Sequence, residues 1–436
     1  MASDTADHRD TADKPRGLLK ALFDEAVAAV SAERCVPRHI DDGPTAGRTI
    51  LLAVGKAAAA MASVAATRLA GRVEGLVVTR AGHAGPLCPL PRGVELIEAG
   101  HPVPDGQSIT AATRALELVS SLTADDRVLA LISGGGSALL TLPLPGVTLA
   151  DKQAVTRALL RSGAAIAEIN CVRKHLSAIK GGRLAVASAP AQVTTLIISD
   201  VPGDDPSFVA SGPTVADQTS LAMAREIVAR YRIDPPASVT AALNDPANET
   251  PPAGAPGLAD GDVRVIASAR DALSAARRLA EEQGYKVTDL GDHLEGEARQ
   301  LGAEHAALAR RLSADGQPRM ILSGGETTVR VINPNGRGGR NVEYLLGLAI
   351  ALDGAPRIHA IACDTDGIDG TEDNAGAIVT PDTLARGAAA GLDAGAMLDA
   401  NNAYGFFAAL GDLVVTGPTR TNVNDLRAIL IEAYER

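Results

Sequence analysis

Apolar residues in this chain follow two alternating patterns. Short continuous runs such as residues 49–54 (TILLAV), 128–132 (VLALI) and 193–198 have the length and composition of strands buried on both faces. Between them lie longer stretches in which Ala, Leu and Val return every three or four positions, as on one face of a helix. This reading predicts helices at about 18–33, 57–69, 108–121, 149–165 and 177–185, with strands at 49–54, 73–79, 128–132 and 193–198. The alternation then restarts, with strands at 263–268, 286–289, 320–322 and 359–363 and helices at 271–283, 296–312 and 341–352. Strands separated by helical segments predict an α/β fold whose sheets are mainly parallel and carry helices on both faces.

One stretch breaks the pattern. Residues 244–262 (NDPANETPPAGAPGLADGD) are rich in Pro, Gly and Ala, which reads as a domain linker, with a long surface loop as the alternative. A chain of 436 residues is also too long for one ordinary core. Two domains are therefore expected, at 17–243 and 262–436, each built as three α/β/α layers. The opening residues 1–17 are polar and acidic and read as a frayed tail.

Two of the strand runs stop at the same tripeptide. Residues 128–132 lead into Ser133-Gly134-Gly135-Gly136-Ser137, and residues 320–322 into Ser323-Gly324-Gly325-Glu326. Glycines at a strand's end let main-chain N–H groups approach a ligand with no Cβ in the way. In α/β sheets, ligands bind at the carboxyl ends of strands. Either turn alone is more simply a tight loop. The pair, one in each half, predicts two α/β units presenting backbone donors to an anionic ligand.

Composition narrows the class. With 46% hydrophobic residues, 2% aromatic and no Trp, the core must be built from Ala, Val, Leu and Ile. A formal net charge of −11 argues against nucleic acid or an anionic membrane as partner, but leaves small anions open. Cys35, Cys88, Cys171 and Cys363 form no CxxC pair and read as unbridged buried thiols of a reducing compartment. There is no HExxH motif, no 18-residue apolar run and no signal peptide, so a soluble cytoplasmic protein is expected.

The remaining motifs each carry two readings. Gly55-Lys56 stands where a strand becomes a helix, so its ammonium would lie beside unpaired helix N–H groups. It is not a Walker A loop, because Ala57 replaces Ser or Thr and the earlier Gly is missing. The segment 173–183 gathers Arg173, Lys174, Lys180 and Arg183 around Gly181-Gly182, and a basic helix face with a Gly cap explains it as simply as an anion contact. Asp200, Asp204 and Asp205 follow the strand at 193–198, and they either hold Mg²⁺ or form an Asp-rich turn. Asp364, Asp366 and Asp369 repeat that choice, although Ile368 and Ala375 break the EF-hand template. Gly336-Arg337-Gly338-Gly339-Arg340-Asn341 precedes a helix and suits capture of phosphate or carboxylate by a guanidinium fork. Neither Gly336-x-Gly338 nor Gly134-x-Gly136 completes a dinucleotide fingerprint.

Taken in order, AVGKAAAAM (53–61), GHPVPD (100–105), LISGGGSALL (131–140), RKHLSAIKGGRLA (173–185), SDVPGDD (199–205) and SGPT (211–214) resemble the class II glycerate kinases. So do LSGGETTV (322–329), GRGGRN (336–341), DTDGIDG (364–370) and TGPTRTNVNDL (416–426), in the part that this glycerate 2-kinase family calls the MOFRL domain. The resemblance implies a Rossmann-like first domain and transfer of the γ-phosphoryl of ATP to D-glycerate, with Mg²⁺, in a cleft between two α/β domains. It implies catalytic roles for Lys56 and Arg340. Ser133, Gly134, Gly135, Gly136, Ser137, Lys180 and Gly181, with Ser323, Gly324, Gly325, Glu326 and Asn341, are the candidates for binding glycerate or ATP. Asp200, Asp204, Asp364 and Asp366 are the metal candidates, and a monomer or homodimer is expected. The chain departs from the family at Val342, where Gln is expected, and at Arg420, where a small residue or Gly is expected. Relatives named hydroxypyruvate reductase supply the alternative, an NAD(P)H-dependent oxidoreductase.

Overall fold

The strands assemble into two separate sheets. The computed structural model describes residues 4–434 apart from 42, 44 and 86–88, with the backbone alone over 4–13. Cys88 therefore lies outside the described residues, while Cys35, Cys171 and Cys363 are buried and unbridged. By compactness the chain divides into Ala32–Ile266 and a second unit in which the residues up to Ser31 join Ala267–Arg436.

The first sheet contains β1 (Thr49–Val54), β2 (Val73–Arg80), β3 (Val94–Ala99), β4 (Arg127–Ser133), β5 (Gln192–Ile198) and β6 (Asp262–Ala267). Their order is β3-β2-β1-β4-β5-β6. β1 pairs in parallel with β2 on one side and β4 on the other, and the β2–β3 and β4–β5 pairs are parallel too. The winding thus reverses between β1 and β4, which is where open α/β sheets leave a crevice for ligands. Every residue of β1 is buried, which explains its unbroken apolar run. Ala111, Ala112, Ala115 and Val119 of the helix Gly106–Val119 pack on Ile50, Leu52, Val54, Val128, Ala130 and Ile132. Alanines let that helix sit close to the sheet. The helix Ala58–Ala66 covers the opposite face of β1.

The second sheet joins β7 (Lys286–Asp289), β8 (Arg319–Gly325), β9 (Ile358–Asp364), β10 (Gly376–Val379), β11 (Leu413–Val414) and β12 (Asp425–Ile431), in the order β11-β10-β9-β12-β8-β7. The α/β class holds in both units. Parallel pairing holds throughout the first sheet's registered pairs, but in the second only β7 and β8 pair that way. β7, β8, β9 and β11 point in one direction, and β12 enters between β8 and β9 antiparallel to both. A strand returning directly into the centre of a sheet, without a crossover helix, must run against its neighbours.

Three expectations about organisation are corrected. The segment 244–262 is a surface loop within the first unit rather than a domain linker, because β6 beyond it completes the first sheet. The first unit accordingly ends at Ile266, and the second begins at Ala267. The first helix spans Asp4–Ala29, so the stretch expected to fray is largely helical. Its apolar stripe (Leu19, Leu22, Phe23, Ala26) is almost fully buried in the second unit, and once that stripe is anchored, adding polar residues at the end costs little. Four helices, Leu149–Arg161, Ile166–His175, Leu221–Arg230 and Ala237–Asn244, also form an apolar cluster of their own beside the first sheet.

Candidate functional site

In the first unit the candidate residues collect at the switch point. β1 ends at Val54 and turns through Gly55 and Lys56 into the helix Ala58–Ala66, while β4 ends at Ser133. The two turns are stitched together, as the Lys56 N–H donates to the Gly134 carbonyl (2.9 Å) and the Ala57 N–H to Ser133 Oγ (3.0 Å). Gly135 adopts φ +83°, and a Cβ there would lie 3.1 Å from His101 Nε2 and 3.4 Å from Lys56 Cγ. Lys56 and His101 therefore flank the same glycine. The N–H groups of Gly134, Gly135 and Gly136 find no acceptor among the described residues. Buried backbone donors without acceptors are rare in folded proteins, so this turn is a ready anion site.

A second loop closes over the turn. A Cβ on Gly136 would lie 2.6 Å from Ala210 Cβ, and Ser137 Oγ lies 2.5 Å from Ser211 Oγ. Ala210 and Ser211 have φ of +52° and +61°, a strained conformation for residues with side chains. Such strain persists only where surrounding contacts enforce it, and Gly181 helps by donating its N–H to the Ser211 carbonyl (3.1 Å). Lys180 is fully buried and donates to the carbonyls of Leu140 (3.0 Å) and Ala210 (3.2 Å). Burial, with Lys152 and Arg173 nearby, pushes its pKa well below the usual lysine value. The expected ligand contacts at Lys180 and Gly181 are thus directed inward, where they brace the 210–212 loop. Sequence reasoning quoted the GHPVPD and SGPT segments without giving His101 or Ser211 a role. Their Pro and Gly neighbours signalled turns, but nothing local said which turns would meet.

Asp200 and Asp204 lie in the turn just beyond β5, and Ile198 is the register partner of Ser133. These carboxylates therefore leave the sheet at the same edge as the first glycine turn. Among the described residues no group of three or more His, Cys, Asp or Glu is arranged to hold a metal ion.

In the second unit the centre is Arg340, the first residue of the helix Arg340–Leu352. Its guanidinium bonds Asp425 through Nε (2.9 Å) and Asp364 through Nη2 (2.8 Å), and Glu326 lies 3.3 Å from Nη1. Burial opposes its charge, yet the carboxylates of Asp425, Asp364 and Glu326 outweigh that and raise its pKa above the ordinary guanidinium value. Asn341 donates its side-chain amide to Asp425 (2.8 Å). Asp369 accepts the backbone N–H groups of Asn341 and Val342 (3.0 Å each), capping the helix that carries Arg340. Burial raises the Asp369 pKa to about 6 against those two hydrogen bonds. A cavity of about 410 Å³ lies beside Arg340, lined in part by Thr327, Gly338, Gly339 and Asn401.

The second Ser-Gly-Gly behaves unlike the first. β8 continues through it to Gly325, the Gly324 N–H donates to the Gly291 carbonyl (2.8 Å), and Ser323 is buried. The Gly324 carbonyl accepts from Arg427 (3.0 Å), which also pairs with Asp425 (2.6 Å). A Cβ on Gly325 would lie 2.3 Å from the Leu294 carbonyl oxygen, so glycine is required there by neighbouring backbone rather than by a ligand. Asp364 serves Arg340, and Asp366 accepts the Ile368 N–H (2.8 Å) as a turn residue. Arg420 has φ +63°, a conformation suited to the glycine expected at that position.

The comparisons agree with this architecture. Residues 18–244 match a domain of unknown function (DUF4147), and residues 319–425 match the MOFRL family. A D-glycerate 2-kinase of Thermotoga maritima is 42% identical over 94% of this chain and 98% of its own length. A protein of Agrobacterium vitis that carries the provisional name hydroxypyruvate reductase is 53% identical over 95% of this chain and 94% of its own. The crystal structure of a Thermotoga maritima glycerate kinase superposes with a TM-score of 0.85 at 39% identity, covering 96% of this chain and 100% of that one. The chain belongs to the class II glycerate kinase family.

Proposed function

We propose that this protein transfers the γ-phosphoryl group of ATP to D-glycerate and forms 2-phosphoglycerate and ADP. The observation that carries the reading is the Gly134–Gly136 turn, whose N–H groups meet no acceptor beneath Lys56 and His101, in a chain of this family. The substrate's hydroxyl oxygen bonds to the γ-phosphorus, the bond to the ADP oxygen breaks, and the hydroxyl proton leaves. That chemistry depends mainly on positioning and on neutralising spread negative charge. Lys56 and Arg340 are the proposed cations, and His101 is the proposed acceptor of the proton. Glycerate is assigned to the turn at Ser133–Ser137. The ATP phosphates are assigned to the segment Gly338–Asn341 and its cavity, because the N–H of Gly324 is already taken by the Gly291 carbonyl. The 2-position is supported by the kinship with relatives named as 2-kinases. Coupling the product to enolase alone should give signal, whereas signal only after adding phosphoglycerate mutase would mean 3-phosphoglycerate.

Mg²⁺ is proposed to enter with ATP, held by phosphate oxygens and at most one or two carboxylates. The acidic turn beyond β5, which leaves the sheet at the same end as the first glycine turn, offers carboxylates of the kind that role needs. Asp200 and Asp204 are the leading contacts, and an unchanged Mg²⁺ activation curve in Asp200→Asn would remove Asp200. No helix among the described residues is long and apolar enough to cross a membrane. A cytoplasmic monomer or homodimer is proposed, to be checked by fractionation and by scattering mass. The reductase reading draws on the Agrobacterium vitis relative's name. NADH oxidation with hydroxypyruvate and ADP release with D-glycerate, measured on one preparation, separate the two activities.

A further inference from the structure

The first sheet carries a polar cavity at the end opposite its glycine turn. It measures about 360 Å³ and lies at the amino ends of β4, β5 and β6, lined among others by Arg38, His39, Asp41, Arg127, Asp262 and Arg264. That volume falls in the range of pockets that hold small metabolites.

Among the described residues that line it, three arginines (Arg38, Arg127, Arg264) meet two aspartates (Asp41, Asp262). Asp262 is held by Arg264, which it meets through both oxygens. Asp41 turns one carboxylate oxygen to the Gly43 N–H (2.9 Å). Among the described residues Arg38 pairs with no carboxylate, and its Nη2 donates to the Arg34 carbonyl (2.9 Å). Arg127 bonds Thr49 Oγ1 through Nε (2.8 Å) and the Asp41 carbonyl through Nη1 (3.4 Å), while its Nη2 is buried with no hydrogen-bond partner. A buried guanidinium donor without an acceptor is costly, and a bound oxyanion would satisfy it. The surroundings of His39 register the same field: burial, then Arg264 and Arg38, lower its pKa.

We propose that this cavity is a second, non-catalytic binding site for a small metabolite oxyanion, a phosphate monoester or a carboxylate, clamped by Arg38, Arg127 and Arg264. The proposal does not depend on the assignment of the kinase reaction. Nothing in the first glycine turn contributes to it, since β4 carries Arg127 at one end and Ser133 at the other.

Hydrogen-exchange mass spectrometry of the intact chain tests it, with inorganic phosphate and succinate titrated separately. Saturable slowing of exchange in peptides covering 36–41 and 262–265 is the expected result, and the anion that acts at lower concentration identifies the ligand class. Arg127→Gln should weaken the midpoint roughly tenfold, the scale of one lost charged hydrogen bond. Because Arg127 also ties β4 to β1, Arg38→Gln provides the independent variant: Arg38 is exposed, its loss leaves the strands intact, and it should weaken binding similarly. Absence of protection with either anion, or protection undiminished in both variants, would overturn the proposal.

Discussion

A lysine's surroundings decide whether its charge is available to a ligand. Lys180 is buried on two carbonyls, whereas Lys56 is half-exposed beside a turn rich in unused N–H groups. Lys56→Ala should therefore lower kcat by roughly 10²-fold or more with little change in folding, the scale of a lost preorganised donor. Lys180→Met should do the opposite, costing about 1–3 kcal/mol of stability by orphaning two carbonyls while the folded fraction stays active. Steady-state kinetics and urea titrations on both variants read out the contrast. Asp369 supplies a pH signature. Its folded pKa of about 6 lies above that of an unfolded aspartate, so the native state binds more protons between those values and this residue's contribution falls as pH rises through that window. Comparing wild type with Asp369→Asn from pH 4 to pH 7 should show wild type losing roughly 1–3 kcal/mol relative to the variant. A constant difference across that range would mean the carboxyl is ionised throughout.

At the scale of elements, two strand–glycine turns of the same sequence have acquired different jobs. The first ends its strand and leaves its N–H donors without acceptors among the described residues; the second is absorbed into its strand by pairing with β12 and by Arg427. Alanine scanning should separate them. Gly135→Ala, strained at φ +83° and crowding His101 and Lys56, should leave a folded protein with strongly reduced turnover. Gly325→Ala collides with the backbone at Leu294, which cannot retreat as a side chain can, and should destabilise by about 2 kcal/mol or more. Circular dichroism melts and kinetics on the pair provide the check. Equal loss of stability in both would make the first turn structural as well.

At the scale of the whole molecule, the unit that contains the MOFRL region is incomplete without the start of the chain. Thr421 Oγ1 donates to the Val30 carbonyl (2.8 Å), and Leu19, Leu22 and Phe23 are at most 1% exposed. Burying each such side chain is worth about 1.5–3 kcal/mol, so their combined loss rivals the net stability of a domain. A fragment of residues 267–436 should aggregate or resist refolding, and a peptide of residues 4–31 should partly restore it. A fragment of 32–266 should be protease-resistant by itself. A stable, monomeric 267–436 fragment would contradict this division.

Much was legible in the sequence because it was local. Buried strands announced themselves as unbroken apolar runs, as at 49–54, and the helix spacing placed Lys56 and Arg340 at helix starts. The set of short motifs carried the family and, with it, the activity. What the sequence could not supply was long-range pairing. DLRAILI at 425–431 is a readable apolar segment, but only the fold inserts it between β8 and β9, reverses the pairing there and brings Asp425 to Arg340. The same holds for Lys180, whose fate was decided by carbonyls at residues 140 and 210, and for the two Ser-Gly-Gly turns, identical in sequence and opposite in use. Local pattern sets what an element can be, because periodicity and turn chemistry act over a few residues. Which donors are left for a ligand depends on every other polar group that reaches them, and that is decided only when the chain is packed.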